Sequence, residues 1–204
     1  MIISRSASLW LSLLLIAALI LVVLILLTGR AASAQNGHID GWLTEPGIEP
    51  PAYAVTEPVD SNVNVGTLAL VCGDLDQGRG VELDLYLSGP GRLRPEGTDE
   101  KLLKDAPTVE IAIDDRVFPA RLLFADEFVI VTDAALKGQP VLSNRLLDAM
   151  QRGATMVLRF DLVREKAGET ELRDGTVVVD LVRGHGAIAA VRRCASDGTF
   201  QAAR

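Results

Sequence analysis

The chain has 204 residues, 49% of them hydrophobic, and its 20 basic and 27 acidic side chains give a formal net charge of −7. This length suits one domain with additional segments. The acidic balance argues against nucleic acid as a partner, because phosphate binding needs a basic surface. It argues equally against docking on an anionic membrane surface.

Residues 1–34 have the pattern of a leader segment. An uncharged apolar run occupies residues 9–27, and Ala32-Ser33-Ala34 has the small-x-small form of a secretory cleavage site. Cleavage between Ala34 and Gln35 predicts a periplasmic or secreted protein. The run is also almost long enough to span a membrane. The alternative is therefore an inner-membrane tether through residues 9–27, with the domain in the periplasm.

Residues 35–58 are expected to form a linker, because prolines and glycines interrupt any regular period. Trp42 and Tyr53 are exceptions in this polar stretch, and we expect them to dock on the domain that follows. Residues 59–204 are expected to form that domain. Removal of the leader makes the chain more acidic, since the leader holds two arginines and no carboxylate.

The domain is expected to be mainly β. Apolar and polar side chains alternate with period two from about residue 66, as in half-buried antiparallel strands. The predicted strands are TLALVC (67–72), VELDLYLS (81–88), TVEIAID (108–114), EFVIVTD (127–133), TMVLRFDL (155–162) and TVVVDLV (176–182). The predicted fold is an antiparallel β-sandwich or a partly closed barrel with one or two short helices.

Two segments are helical candidates. SNRLLDAMQRG offers Ser143 as the N-cap and Gly153 as the stop. HGAIAAVRRC is predicted to form a second helix that ends at Cys194. Arg192 and Arg193 fall in its last turn, where positive charges interact favourably with the helix dipole. This interaction accounts for the two arginines without a ligand.

Cys72 and Cys194 are the only cysteines of the chain. In an exported protein, two cysteines most often form a disulfide. Cys72 shares the inward face of its strand with Leu68 and Leu70, as a buried bridge requires. A reactive thiol would need a histidine partner, and a zinc site would need closely spaced Cys or His pairs. Neither cysteine has such neighbours in sequence, so the bridge is the preferred interpretation.

Three residues are candidates for binding. His185 begins the last helix between glycines and could serve as a general base, but no serine in a nucleophile elbow accompanies it. Arg92 and Arg94 lie in SGPGRLRPEGTDEK, residues 88–101, which we expect to be an exposed and mobile loop. No H-E-x-x-H motif is present. We therefore predict no catalytic residue, no metal site and no cofactor.

The order of these landmarks resembles a bacterial periplasmic family. Its features are VTEPVDS after an aromatic residue, a strand ending in Cys, VELDLYLS, VEIAIDDR, ATMVLRFDL and a final AVRRC. Over about residues 53–195 the chain is similar to the type VI secretion-associated VMP/TagO-like proteins, and more loosely to invasion-associated locus B-like proteins. The family's Tyr-Arg element is absent at Ala112 and Asp114, and a charged segment, VREKAGETELRDGT, is additional. The resemblance implies an exported β-rich domain with a Cys72–Cys194 bridge and a binding or accessory role.

We expect a non-catalytic binding or accessory protein of the bacterial envelope, whose partner is an unknown envelope protein. This expectation rests on strong β patterning without a convergent set of catalytic groups. One alternative is an envelope hydrolase that uses His185 with nearby carboxylates. The other is an inhibitor of a cell-wall enzyme that presents the 88–101 loop.

Overall fold

The computed structural model describes residues 41–75, 78–125, 128–164 and 174–197. The predicted leader, its cleavage site at Ala34 and Gln35, and most of the additional charged segment lie outside the described residues. Within these ranges, no helix has both the length and the apolar character needed to cross a membrane.

The described chain is built mainly of short antiparallel strands with two α-helices. The strands are β1 Leu43–Thr44, β2 Tyr53–Thr56, β3 Asp60–Ser61, β4 Val65–Leu75, β5 Gly78–Leu87, β6 Leu103–Ile113, β7 Arg116–Phe124, β8 Phe128–Thr132, β9 Ala134–Leu136, β10 Gln139–Val141, β11 Thr155–Val163 and β12 Gly175–Asp180. The helices are α1 Asn144–Met150 and α2 His185–Asp197, and the short 3-10 turns are Glu100–Leu102 and Val182–Gly184.

Ten strands form one curled sheet in the order β1-β2-β4-β5-β8-β7-β6-β11-β12-β3, and β9 and β10 form a separate hairpin. Strand β7 connects the two halves of the sheet. Its first five residues pair with β6 and its last four pair with β8. The predicted mainly β fold, a partly closed antiparallel barrel with two short helices, is confirmed.

The strands form where the period-two pattern predicts them. Val81, Leu83 and Leu85 of β5 are buried in the core and face Leu68 and Leu70 from β4. Burying such alternating apolar side chains on one face stabilises a half-covered sheet.

Both predicted helices are present. The hydroxyl of Ser143 caps α1 by accepting a hydrogen bond from the Leu146 amide at 3.1 Å. This N-cap satisfies one of the amides that the first turn of a helix leaves without a partner. Helix α2 continues three residues beyond its predicted end at Cys194.

The segment expected to be a linker, residues 35–58, contains two short strands in its described part. Strand β2 pairs with β4, and β1 pairs with β2, so this segment forms one edge of the sheet. Trp42 docks on the domain as expected: its side chain is buried, and its indole Nε1 donates to the Asp180 carbonyl at 3.0 Å. Prolines do not prevent short edge strands, since an edge strand has amides that need no partner in the sheet.

The predicted disulfide is present. Cys72 of β4 and Cys194 of α2 are bonded, with 6.2 Å between their Cα atoms, and both are buried. The bridge joins residues 122 apart in sequence, and closing so long a loop stabilises the fold by about 4–5 kcal/mol in chain-entropy terms. It fixes the C-terminal half of α2 to the sheet. Such bonds are typical of proteins of oxidising compartments.

Candidate functional site

His185 has a structural contact in this fold. Its ring Nε2 lies 2.8 Å from the carbonyl oxygen of Gly153. Because a carbonyl oxygen only accepts, Nε2 carries the proton and joins the start of α2 to the loop after α1. No carboxylate of the described residues hydrogen-bonds to this ring. The hydrolase interpretation required such a carboxylate beside His185.

Arg92 and Arg94 are held by contacts with β6 and with their own loop. Arg92 donates to the Lys104 carbonyl at 2.8 Å, and Arg94 forms an ion pair with Glu100 at 2.6 Å. The loop itself is anchored, because Leu93 is buried and the Arg94 amide donates to the Asn64 side chain at 2.8 Å. None of the described cavities is lined by these two arginines or by His185.

A cavity of about 680 Å³ opens elsewhere, between the start of β5, the β9–β10 hairpin, α1 and the last turns of α2. Three arginines line it: Arg79 from β5 and Arg192 and Arg193 from α2. Among the described residues that line it, none is acidic. We call this space the arginine cavity. Its volume lies within the range of about 300–1,000 Å³ that is typical of small-molecule sites.

Arg192 is the most firmly held of the three. Its guanidinium donates to Asp148 and Gln151 through Nη1 and to Asn144 through Nη2, all three residues at or near α1. An arginine has five N–H donors. Three serve these contacts, so two have no acceptor among the described residues. Helices α1 and α2 together therefore present an oriented guanidinium with unused donors.

Arg79 and Arg193 are held more loosely. Arg79 pairs with Asp74 at 2.8 Å, and Arg193 pairs with Glu49 at 2.6 Å. The two carboxylates are largely exposed, with 84% and 74% of their side chains accessible. Exposed ion pairs contribute little free energy because water and salt screen them. A ligand anion could therefore share or replace these carboxylates at small cost.

Further arginines surround the helix pair. Arg116 and Arg145 lie over the ring of Phe118 at 5.1 and 5.4 Å from its centroid. The hydrogen bond from Arg192, with the charges of Arg192, Arg152 and Arg116, holds the pKa of Asp148 below its usual range. Several arginines therefore lie around the Asp148 carboxylate beside the cavity, although the chain as a whole is acidic.

The cavity also has an apolar surface. Val81, Val141, Leu142 and Leu147 line it and are buried. Leu136 of β9 lines it as well and is 42% exposed. The site therefore combines apolar walls with charged donors, as small-molecule sites commonly do.

A second unusual group lies on the outer face of the sheet. Asp84 of β5 pairs with Ala69 on one side and Ile130 on the other, and is only 3% exposed. Its Oδ1 has no hydrogen-bond partner within the described part of the chain. Burial, with a smaller contribution from the charge of Glu82, raises the pKa of Asp84 to about 7. Burial also raises the pKa of Glu82.

Sequence reasoning missed the arginine cavity. It explained Arg192 and Arg193 by the helix dipole alone, and it gave Arg79 no role. The available signal was the short distance in sequence between Cys194 and the two arginines Arg192 and Arg193, because a disulfide fixes neighbouring side chains in place. Within the described ranges, no cluster of three or more His, Cys, Asp or Glu side chains could hold a metal ion.

No protein-family model, curated protein or solved structure matches this chain. The proposals below therefore rest on the chain's own residues.

Proposed function

We propose that this protein is an exported, non-catalytic binding module of the bacterial envelope, and that the arginine cavity is its ligand site. The observation that carries the proposal is the cavity itself: three arginines and no described acid line a space bounded by a disulfide-fixed helix. The lining includes two serines but, among the described residues, no histidine, cysteine or acid, and the Ser143 hydroxyl is engaged as the cap of α1. Three guanidiniums in such a lining are suited to holding a ligand rather than to transforming it.

The leader pattern of residues 1–34 and the Cys72–Cys194 bond support the export part of the proposal. A disulfide persists where thiols are oxidised. The leader directs the chain to such a compartment, either by cleavage before Gln35 or by retention as a tether. In both cases the domain lies outside the cytoplasm.

The export part is tested by intact mass of the protein from the envelope fraction of a bacterial host. We expect a mass that begins at Gln35 or at the full-length N-terminus, and no alkylation of cysteines until a reductant is added. Recovery of the protein in the cytoplasm with two alkylated thiols would contradict export.

The binding part is tested by native mass spectrometry of the same preparation. We expect a non-covalent additional mass that is lost on denaturation. Ala189→Trp places a large ring in the cavity from α2 and should abolish this mass. The control is Val117→Trp, because Val117 lies on β7 and its side chain is exposed. Ala120 on the same strand is not used, because it packs on the core. An identical ligand load in Ala189→Trp would contradict the proposal.

A further inference from the structure

We propose that the ligand is an amphipathic organic anion, with a carboxylate or phosphate group on an apolar body. This inference rests on the proposed function, since it names the ligand class of the same cavity. Its basis is the division of the cavity into charged donors and apolar walls.

The charged part of the cavity selects an oxyanion. Arg192 has two N–H donors without acceptors among the described residues, and its orientation is fixed by Asp148, Gln151 and Asn144. A planar guanidinium matches the two oxygens of a carboxylate or phosphate. Because the Arg192 guanidinium is already oriented, less conformational entropy is lost when the anionic group of the ligand binds.

The neighbouring arginines reinforce this selection. Arg193 follows Arg192 directly on α2, and Arg79 reaches the cavity from β5, where its Nη1 lies 3.5 Å from the Cys194 sulfur. Their carboxylate partners, Asp74 and Glu49, lie outside the cavity lining. An anion entering the cavity therefore meets positive charge, whereas a cation is repelled.

The apolar part of the cavity selects the body of the ligand. The buried part of the cavity wall is formed by Val81, Leu142 and Leu147. Leu136 in the same lining is an exposed apolar side chain. A small inorganic anion would leave the exposed Leu136 side chain in contact with water. An alkyl or aryl group would cover Leu136 and pack against the buried wall, which is favourable because apolar surface is removed from water.

The experiment is calorimetric titration of the disulfide-bonded mature protein with four probes that share one alkyl chain: octanoate, octyl phosphate, octanol and octyltrimethylammonium. We expect at least one of the two anions to bind at least tenfold more tightly than octanol, and the cation not to bind. Added salt should weaken the binding of the anions but not of octanol. The ratio of octanoate to octyl phosphate affinity distinguishes the two kinds of anionic group.

Variants locate the binding. Arg192→Gln with Arg193→Gln should reduce anion affinity at least tenfold and leave octanol affinity unchanged. Arg79→Gln also removes a cavity guanidinium and should likewise weaken anion binding, but it leaves the hydrogen bonds between α1 and α2 intact. Loss of anion binding in this variant therefore cannot be attributed to misfolding of the double variant. Arg164→Gln is the matched control, because Arg164 forms an exposed ion pair with Asp105 outside the cavity lining.

The outcomes separate the two proposals. If octanol binds as tightly as both anions, and Ala189→Trp abolishes its binding, the cavity is a ligand site but the anion class is wrong. If no probe binds, both proposals fail. If anions bind but Arg79→Gln and the double variant bind them as the unmodified protein does, the anion site lies elsewhere and the inference is overturned.

Discussion

Arginines occur in two contrasting places in this protein, the arginine cavity and the 88–101 loop. In the loop, Arg92 and Arg94 satisfy a carbonyl and a carboxylate of nearby residues, and neither lines one of the described cavities. In the cavity, Arg192 is held by three acceptors, Asp148, Gln151 and Asn144, and lies beside an open, partly apolar volume. Residue type alone therefore does not mark a binding site. What distinguishes the cavity is a fixed guanidinium next to unfilled space.

The largest expected effect comes from the bond that fixes one wall of the cavity. Cys72→Ser with Cys194→Ser should lower the free energy of unfolding by about 2–5 kcal/mol. It should also weaken ligand binding, because α2 carries Arg192 and Arg193. Chemical denaturation with and without reductant measures the stability change. Equal stability of the oxidised and reduced protein would contradict the role given to the bridge.

The next effect separates the pH dependence of stability from that of binding. Asp84 has a pKa raised to about 7 in the folded protein, so folding favours its protonated form. Its stabilising contribution is complete below the ordinary aspartate pKa and is lost as the pH rises through about 7. Asp84 does not line the arginine cavity, so anion binding should not follow the same curve.

Asp84→Asn should accordingly stabilise the protein most at alkaline pH. We expect its advantage over the unmodified protein to shrink by about 2–3 kcal/mol between pH 8 and pH 5. Urea denaturation at the two pH values measures this. Asp105→Asn is the control, because the Asp105 side chain is 85% exposed. A pH-independent difference for Asp84→Asn would show that Asp84 ionises normally.

A smaller effect compares the two sets of arginines directly. Arg192→Gln should cost about 1–2 kcal/mol of stability, because it removes hydrogen bonds that join α1 to α2. Arg92→Gln should cost less than about 0.5 kcal/mol, as is usual for an exposed residue. Thermal denaturation of both variants measures the difference. Similar losses would erase the distinction between the cavity and the loop.

The smallest effect concerns His185. His185→Ala removes the contact with the Gly153 carbonyl and should cost about 1 kcal/mol. Ligand affinity should be unchanged, because His185 does not line the cavity. Calorimetric titration with octanoate checks this. If His185→Ala lost octanoate binding, or lost a hydrolytic activity that the unmodified protein has, His185 would be a functional residue.

Much of the fold could be predicted from sequence, because alternation in segments such as VELDLYLS reports directly which face of a strand is buried. The same alternation placed Asp84 on the outer face and so could not reveal its burial, which depends on neighbours from β4 and β8. Strands β1 and β2 were missed, since they are short and lie in a segment rich in proline. The cavity was missed because its arginines come from two elements far apart in sequence.

The most direct test of the central claim is an NMR titration that observes the side-chain Nε–H signals of the arginines while octanoate is added. The account predicts saturable shifts at Arg79, Arg192 and Arg193, and unchanged signals at Arg92 and Arg94. Shifts confined to Arg92 and Arg94, or equal small shifts at all five arginines, would contradict it and would remove the arginine cavity as the ligand site.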